Sequence, residues 1–385
     1  MLKLLGLLMC LTLILALFLP INSTYCSTQF EPEVDTKACI LMDSTGQNIL
    51  YHNNEKAHLP VASVVKLMTI LLVEEEIDNG RLSLTDTVIA SENASGMGGS
   101  QIFLDANAEY TVESLLKSIV VCSANDSSVA MAEHIAGNET SFVQRMNARA
   151  KELQMNDTNY ENCTGLPSPN QYSCAKDIAF LMSKVIQYPS YLTYCKIWME
   201  DFVHPSGRIN EMVNTNKLIR FYEGCESGKT GSTNEAGYCL SVSAKRNNLH
   251  LIGVVLGAKD SKGRFKSASD LLNYGFGSFS NYEILNTVIT NQQKVKVQYE
   301  KDKNLKLKPE KDFVTLLPKG ETNPYTVKFN LPSNVLYANM GDAIGYAEIL
   351  KDGVVQDTIS ILADEQIDQP SLIDYIKLIN QDFVA

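Results

Sequence analysis

An α+β domain built on an antiparallel sheet with helices, followed by a small all-β domain, is the fold class the sequence predicts. Three observations lead there. The apolar patterns run strands first, then many helices, then strands again, which is not the alternation of a parallel α/β fold. Near Tyr282 the long helical patterns stop and short strand-like runs take over. The 385 residues are 45% hydrophobic and 20% charged, enough apolar surface for two cores and too much for a disordered chain. The balance of 33 basic against 44 acidic residues, net −11, argues against a general nucleic-acid binder, which needs a basic face for phosphates.

Taken in order, the chain begins with Lys3 and an unbroken apolar run over 4–19, ended by Pro20 and small polar residues. This predicts a secretory signal peptide over 1–26, cleaved within 23–27, and so an exported protein. Residues 36–50 alternate apolar and polar about Ser44-Thr45-Gly46 and predict a hairpin. Residues 62–77 predict a helix that is apolar nearly all round; 111–135 and 140–153 carry helical spacing. The stretch 155–177 is rich in Asn, Gly, Pro and Ser and predicts a long loop, a feature usually functional inside a compact domain. Residues 238–244 and 249–257 predict paired strands turning at Asn247, and 267–276 a last helix. From 282 to 368, short runs such as KVKVQYE, DFVTLLP and YTVKFNL, broken by Lys, Asp, Asn, Gly and Pro, predict the β-rich domain. The tail, 371–385, puts Leu372, Ile373, Ile376 and Ile379 on one face of a short amphipathic helix, a candidate membrane-associated segment. Its Asp374 and Asp382 against Lys377 suit an anionic membrane poorly.

Three small motifs stand in a fixed order: Ser63-Val64-Val65-Lys66, Ser123-Ala124-Asn125 and Lys229-Thr230-Gly231. Each alone is weak; together they form the serine acyl-transfer set of penicillin-binding proteins and β-lactamases. The chemistry explains the residue types. Lys66 sits in an apolar helix, where a charged ammonium is costly unless it has partners or loses its proton to become an amine that can act as a base. Ser63 lies one turn earlier, within reach as the nucleophile. Ser123 and Asn125 fall on a turn between helices, where a hydroxyl can relay a proton and an amide can hold a peptide. Lys229-Thr230-Gly231 is expected to open the strand GYCLSVSA at a sheet edge. There a cation and a hydroxyl can hold a carboxylate, and Gly231 permits close approach.

Two look-alikes are set aside. Gly224 to Thr230 is one residue short of a phosphate-binding loop and leads into a strand rather than a helix. Glu152 has the spacing of a deacylating glutamate but ends an amphipathic helix, where a solvated glutamate is the plainer reading. Of the nine cysteines, Cys39, Cys122, Cys163, Cys174, Cys195, Cys225 and Cys239 lie beyond the signal segment without regular spacing. They are read as buried small hydrophobes rather than a metal or disulfide framework, with a Cys163–Cys174 clip left open.

With these motifs, and with LPVASVVKLMT, GSQIFL, LLKSIVVCSANDSSVAMAEHIAG and GKTGSTNEAGYCLSVSA around them, the sequence resembles the D-alanyl-D-alanine carboxypeptidases. These are the low-molecular-mass penicillin-binding proteins of peptidase family S11. The resemblance covers residues 33–280 and extends more loosely over the β-rich domain and tail. It implies a serine β-lactamase/transpeptidase-like domain acting on peptidoglycan stem peptides outside the cytoplasmic membrane, inhibited covalently by β-lactams and needing no cofactor or metal. By the same resemblance Ser63, Lys66 and Ser123 are catalytic, and Asn125, Lys229, Thr230, Gly231, Ser232 and Arg264 bind substrate. The backbone N–H groups of Ser63 and Ser232 form the oxyanion hole. A β-lactamase or a non-catalytic penicillin-binding protein on the same fold is the alternative.

Overall fold

The structure is a computed structural model that describes residues 31–300 and 302–382. The expected signal segment, with Cys10 and Cys26, lies outside the described residues. Strands β1 (Ala38–Asp43) and β2 (Ile49–Asn53) form the expected hairpin. β1 is nonetheless buried at all six positions rather than alternating. It is an interior strand with a core on each face: Ala38, Ile40 and Met42 enter one, Cys39 and Leu41 the other.

A 3-10 turn at Ala62–Val65 leads into α1 (Lys66–Asp78), whose ten buried residues make it the central helix. A small ladder, β3 (Thr87–Ile89) with β4 (Glu109–Thr111), brackets α2 (Glu92–Ser95). Thr111 caps α3 (Val112–Val121) by accepting a hydrogen bond from the Ser114 N–H. α4 (Asn125–Ala136) stops at Gly137, whose φ of +80° a side chain would resist. α5 (Glu139–Glu152) follows, then the expected loop, then α6 (Ala175–Val185) and α7 (Pro189–Cys195). Neither α6 and α7 nor the hairpin of β5 (Met199–Val203) and β6 (Ile209–Val213) is among the elements expected from the sequence. After α8 (Leu218–Phe221) come β7 (Cys225–Thr233), β8 (Gly237–Arg246), β9 (Leu249–Ala258) and α9 (Ser261–Ser278). α9 starts six residues before the expected 267, capped by the Asp260 carboxylate on the Gly263 N–H.

The main sheet is antiparallel in the order β2-β1-β9-β8-β7, which leaves β7 as an edge. Lys229-Thr230-Gly231 does not open the strand that holds GYCLSVSA; it lies within β7, and GYCLSVSA begins β8, paired so that Lys229 faces Ser241 and Gly231 faces Cys239. One face of the sheet packs against the helical layer, including Leu67, Ile70, Leu115 and Met182. The other face packs under α9 through Leu251, Val255, Leu271 and Leu272.

Beyond α9 the chain is almost all β. β10 (Phe279–Leu285) begins it, followed by the short helix α10 (Thr287–Thr290), β11 (Lys296–Val297), β12 (Leu307–Pro309) and β13 (Phe313–Pro318). β14 (Tyr325–Asn330), β15 (Asn334–Val335), β16 (Ala343–Lys351) and β17 (Val354–Ala363) complete it. β10 pairs with β13, and a four-stranded sheet runs β12-β17-β16-β14 over a core of Leu307, Ile349, Ile359 and Ile361. The last element, α11 (Leu372–Asp382), holds Leu372, Ile373, Ile376 and Ile379 exposed. Among the described residues no helix is long and apolar enough to cross a membrane.

Candidate active site

The three motifs, far apart in sequence, meet at the edge strand β7. Ser63 and Lys66 sit three residues apart across the 3-10 turn, a spacing that stacks side chains at i and i+3. Ser63 is half-buried and Lys66 fully buried. The Lys66 Nζ lies 3.1 Å from Ser63 Oγ, 2.5 Å from Asn125 Oδ1 and 2.6 Å from the carbonyl oxygen of Thr164, so every nitrogen proton has an acceptor. Burial is the main force on this amine and pushes its pKa down to about 7. The neutral form is therefore well populated near neutral pH, and in that form the Nζ lone pair can accept the Ser63 proton.

Ser123 stands on the turn between α3 and α4, as expected, at φ +66°. A left-handed serine is sparsely populated backbone, kept only where its surroundings hold it. Here the fully buried Lys229 Nζ donates to Ser123 Oγ at 2.7 Å and to the Thr230 carbonyl at 2.9 Å. Burial, then the nearby charge of Lys66, pushes the Lys229 ammonium well below the ordinary lysine range. Asn125 is fixed at both ends. Its Oδ1 accepts from Lys66, its Nδ2 donates to the Gly98 carbonyl at 2.7 Å, and its backbone N–H donates to the Ser100 carbonyl at 2.7 Å. The neighbouring Asp126 carboxylate accepts from the N–H groups of Ile102 and Leu104, which pins the GSQIFL segment beside the site.

Gly231 explains why β7 can reach the nucleophile. A Cβ there would lie 2.8 Å from the Ser63 nitrogen and 2.8 Å from the Val61 carbonyl, closer than real Cβ atoms come. Thr230 is buried beside it and Ser232 exposed just beyond. Arg264 reaches from α9 and donates through Nη1 to the carbonyls of Gly231, at 3.1 Å, and Cys239, at 3.3 Å. Its Nη2 also donates to the Ser261 hydroxyl at 3.4 Å, so the side chain ties α9 to both β7 and β8 beside the site.

The loop 155–177 supplies atoms to the site that its composition alone does not single out. Asn162 Oδ1 gathers the N–H groups of Thr164 and Gly165, which bends the chain so that the Thr164 carbonyl meets Lys66. Gly165, at φ +84°, is pressed so close to Ala62 that a Cβ would stand 2.1 Å from its carbonyl oxygen. The Asn-Cys-Thr-Gly run was the available signal, a side chain–backbone turn followed by a residue free to be left-handed. Glu152 lies at the last turn of α5, mostly exposed and paired with Arg149 at 2.8 Å. All seven described cysteines are free thiols, Cys163 and Cys174 included. Asp157, Cys174 and Asp177 offer ligand atoms within 4.8 Å of one another, the set closest to a metal site. One Asp177 oxygen already accepts from the Thr158 hydroxyl and the Asp157 N–H, and Cys174 caps α6, so the cluster is accounted for by local structure.

Comparison with known proteins bears on both parts of the chain. The family described as D-alanyl-D-alanine carboxypeptidase matches residues 26–260, and the family described as penicillin-binding protein 5, C-terminal domain, matches residues 283–369. D-alanyl-D-alanine carboxypeptidase DacF of Bacillus subtilis is 36% identical over 89% of this chain and 88% of its own. DacA of Haemophilus influenzae is 32% identical over 84% and 82%. Among solved structures, penicillin binding protein 5 from Haemophilus influenzae superposes with a TM-score of 0.68 at 30% identity, over 88% of this chain and 99% of that one. PBP3 from Streptococcus pneumoniae, described as a peptidoglycan synthesis regulatory factor, gives 0.72 at 25% identity, over 87% and 100%.

Proposed function

The chain belongs to the D-alanyl-D-alanine carboxypeptidase family of serine peptidases, and we propose that it removes the terminal D-alanine of peptidoglycan stem pentapeptides through an acyl-enzyme on Ser63. The observation that carries this reading is the double contact of a buried lysine with each serine: Lys66 with Ser63, and Lys229 with Ser123.

In the proposed cycle, neutral Lys66 takes the Ser63 proton as Oγ attacks the carbonyl between the two D-alanines. The negative oxygen faces the N–H groups of Ser63 and Ser232. Ser123, helped by the Lys229 hydrogen bond, gives its proton to the leaving amine and is refilled by the proton that Lys66 took from Ser63, which leaves Lys66 neutral again. Asn125 positions the peptide, Thr230 binds the terminal carboxylate, and Arg264 keeps β7 in place through the carbonyls it holds. Water then releases the acyl group. β-Lactams, which imitate the acyl-D-Ala-D-Ala end, acylate the same serine. This chemistry is assigned to 33–280, with 282–368 as a separate β-rich domain. The exposed placement of Glu152 and its pairing with Arg149 speak against its use as a β-lactamase's deacylating base.

The decisive experiment measures free D-alanine from Nα,Nε-diacetyl-L-Lys-D-Ala-D-Ala, with Ser63→Ala as control. Release by the wild type alone is expected; none, or equal release from both, overturns the reading. The work is placed outside the cytoplasmic membrane on the strength of the N-terminal apolar run, and a mature N-terminus inside residues 23–27 is the expected result of sequencing the exported protein. The exposed apolar side chains of α11 support peripheral membrane contact. Deleting 371–385 should release the protein from membranes, and unchanged association would remove that assignment.

A further inference from the structure

Residues 98–105 cross the start of α4 as a strap that belongs to no helix or strand. Its backbone groups are taken by side chains instead, from two directions. From beneath come Asn125 and Asp126. Asn125 donates to the Gly98 and Ser100 carbonyls, and the Asp126 carboxylate takes the N–H groups of Ile102 and Leu104, each at 3.1 Å. From outside comes the turn of the β5–β6 hairpin. Asn210 Nδ2 donates to the Ile102 carbonyl at 2.6 Å, and the Arg208 guanidinium donates to the Phe103 carbonyl. Between the two grips Phe103 stands at φ +61°, a conformation a bulky residue keeps only where its surroundings impose it.

The outer grip is itself braced. Arg208 also donates to Asp105 Oδ1 at 2.8 Å and to Asn210 Oδ1 at 3.3 Å, and Ser206 Oγ donates to Asp105 Oδ2 at 2.8 Å. Behind them the Tyr110 hydroxyl accepts the Asp105 N–H at 2.9 Å and lies 3.0 Å from Nδ1 of the buried His204. Burial, then the charge of Arg208, holds His204 below its ordinary range, in the neutral form whose Nδ1 can accept.

No catalytic step uses these outer residues, yet Asn125 depends on what they hold. Its Oδ1 is one of three acceptors around the Lys66 Nζ, while its Nδ2 and its backbone N–H are both anchored on the strap. A strap that shifts by an ångström carries that anchor away from the reacting groups.

We propose that Arg208 and Asn210 are positioning residues for the active site, clamping the strap 98–105 against α4 so that Asn125 stays fixed at Lys66, a role that rests on the acyl-enzyme chemistry proposed above. The clamp has a signature in pH. Besides Asn125, the titratable groups facing Lys66 are Asp126, Lys229, Cys122 and Cys163. The strap touches two of these five neighbours, Asn125 and Asp126, and both favour the ammonium. Loosening it therefore lowers the Lys66 pKa and lets the neutral base persist to lower pH.

Two variants test this. Arg208→Lys keeps the charge and loses the planar fork, and Asn210→Ala changes no charge. In each, kcat/KM for Nα,Nε-diacetyl-L-Lys-D-Ala-D-Ala should fall about tenfold on its alkaline plateau. The acid limb of the profile should move down by about half a unit. Met212→Ala, from the buried face of the same hairpin, should lower Tm and leave the limb in place. Wild-type kcat/KM in either clamp variant, or activity that falls with Tm while the limb stays, overturns the clamp. Acylation by a fluorescent penicillin separates the two readings. If the wild type is acylated but releases no D-alanine, and both clamp variants acylate about tenfold more slowly, the carboxypeptidase reading fails and the clamp stands.

Discussion

The two parts of the chain bury different things. Before residue 279 the interior holds two whole lysines, an arginine, several carboxylates and many hydroxyls; beyond it, Thr290 alone is a buried polar residue among those described. The β-rich domain is closed by an apolar core that includes Ile349, Ile359 and Ile361. Polar burial is costly unless every group finds a partner, so a domain accepts it in quantity only where chemistry requires it. The contrast separates a domain that holds reactive groups in an unfavourable setting from one that serves as plain structure.

The largest test of that contrast is Lys66 itself. Lys66→Ala should lower kcat/KM by about 10²–10⁴-fold, the range for loss of a general base. Lys66→Arg should not rescue it, because a guanidinium stays charged at any working pH and cannot accept the proton. The wild type should also show the titration. The base works when neutral, so kcat/KM should climb about tenfold per pH unit below the Lys66 pKa of about 7 and level off above it. A flat profile from pH 5 to 8 would mean that the buried amine is not the base. D-alanine release measured across that range gives the answer.

The β-rich domain gives the opposite expectation. Ile359 is 1% exposed in its core, and Ile359→Ala should cost about 2–5 kcal/mol of that domain's stability by loss of contacts and a residual cavity. Denaturant unfolding followed by circular dichroism reads this. In buffer, where the domain remains folded, acylation of Ser63 by a fluorescent penicillin should stay within about twofold of wild type. A large loss of acylation would show that the β core is coupled to the catalytic cleft and would dissolve the distinction.

The same distinction explains what could be read from the sequence. Ser63, Lys66, Ser123, Asn125 and Lys229 were legible because each is a reactive side chain in a short motif, and the family resemblance reinforced them. The Thr164 carbonyl was not, since a backbone oxygen has no signature of its own; only the Asn162 turn that aims it leaves a trace. Arg264 was legible as a residue but not in its contacts, which go to the carbonyls of Gly231 and Cys239. The helix pattern of α1 was clear because it is apolar all round. The β5–β6 hairpin was missed because its outward side carries Met199, Val203, Ile209 and Val213, so exposed and buried positions look alike in composition. The extent of β7 was missed because Gly228, Lys229 and Gly231 are poor strand formers, held in the sheet by pairing with β8.

The smallest expected effect is at Glu152, and it bears on which enzyme this fold has become. A carboxypeptidase and a serine β-lactamase share the acylation step and differ in how fast water clears the acyl group. A dedicated carboxylate that activates that water would have to face the ester on Ser63. Glu152 instead ends α5 with its side chain 64% exposed and bound to Arg149, which also holds Glu75 at 2.8 Å. An exposed pair of this kind contributes about 0.2–1 kcal/mol, and Arg149 keeps a second partner when it is lost. Glu152→Gln should therefore leave both the rate of penicillin hydrolysis and the lifetime of the penicilloyl-enzyme within about twofold, with little change in Tm. A longer-lived acyl-enzyme in the variant would place Glu152 in deacylation despite its exposure, and would move this chain toward the β-lactamases.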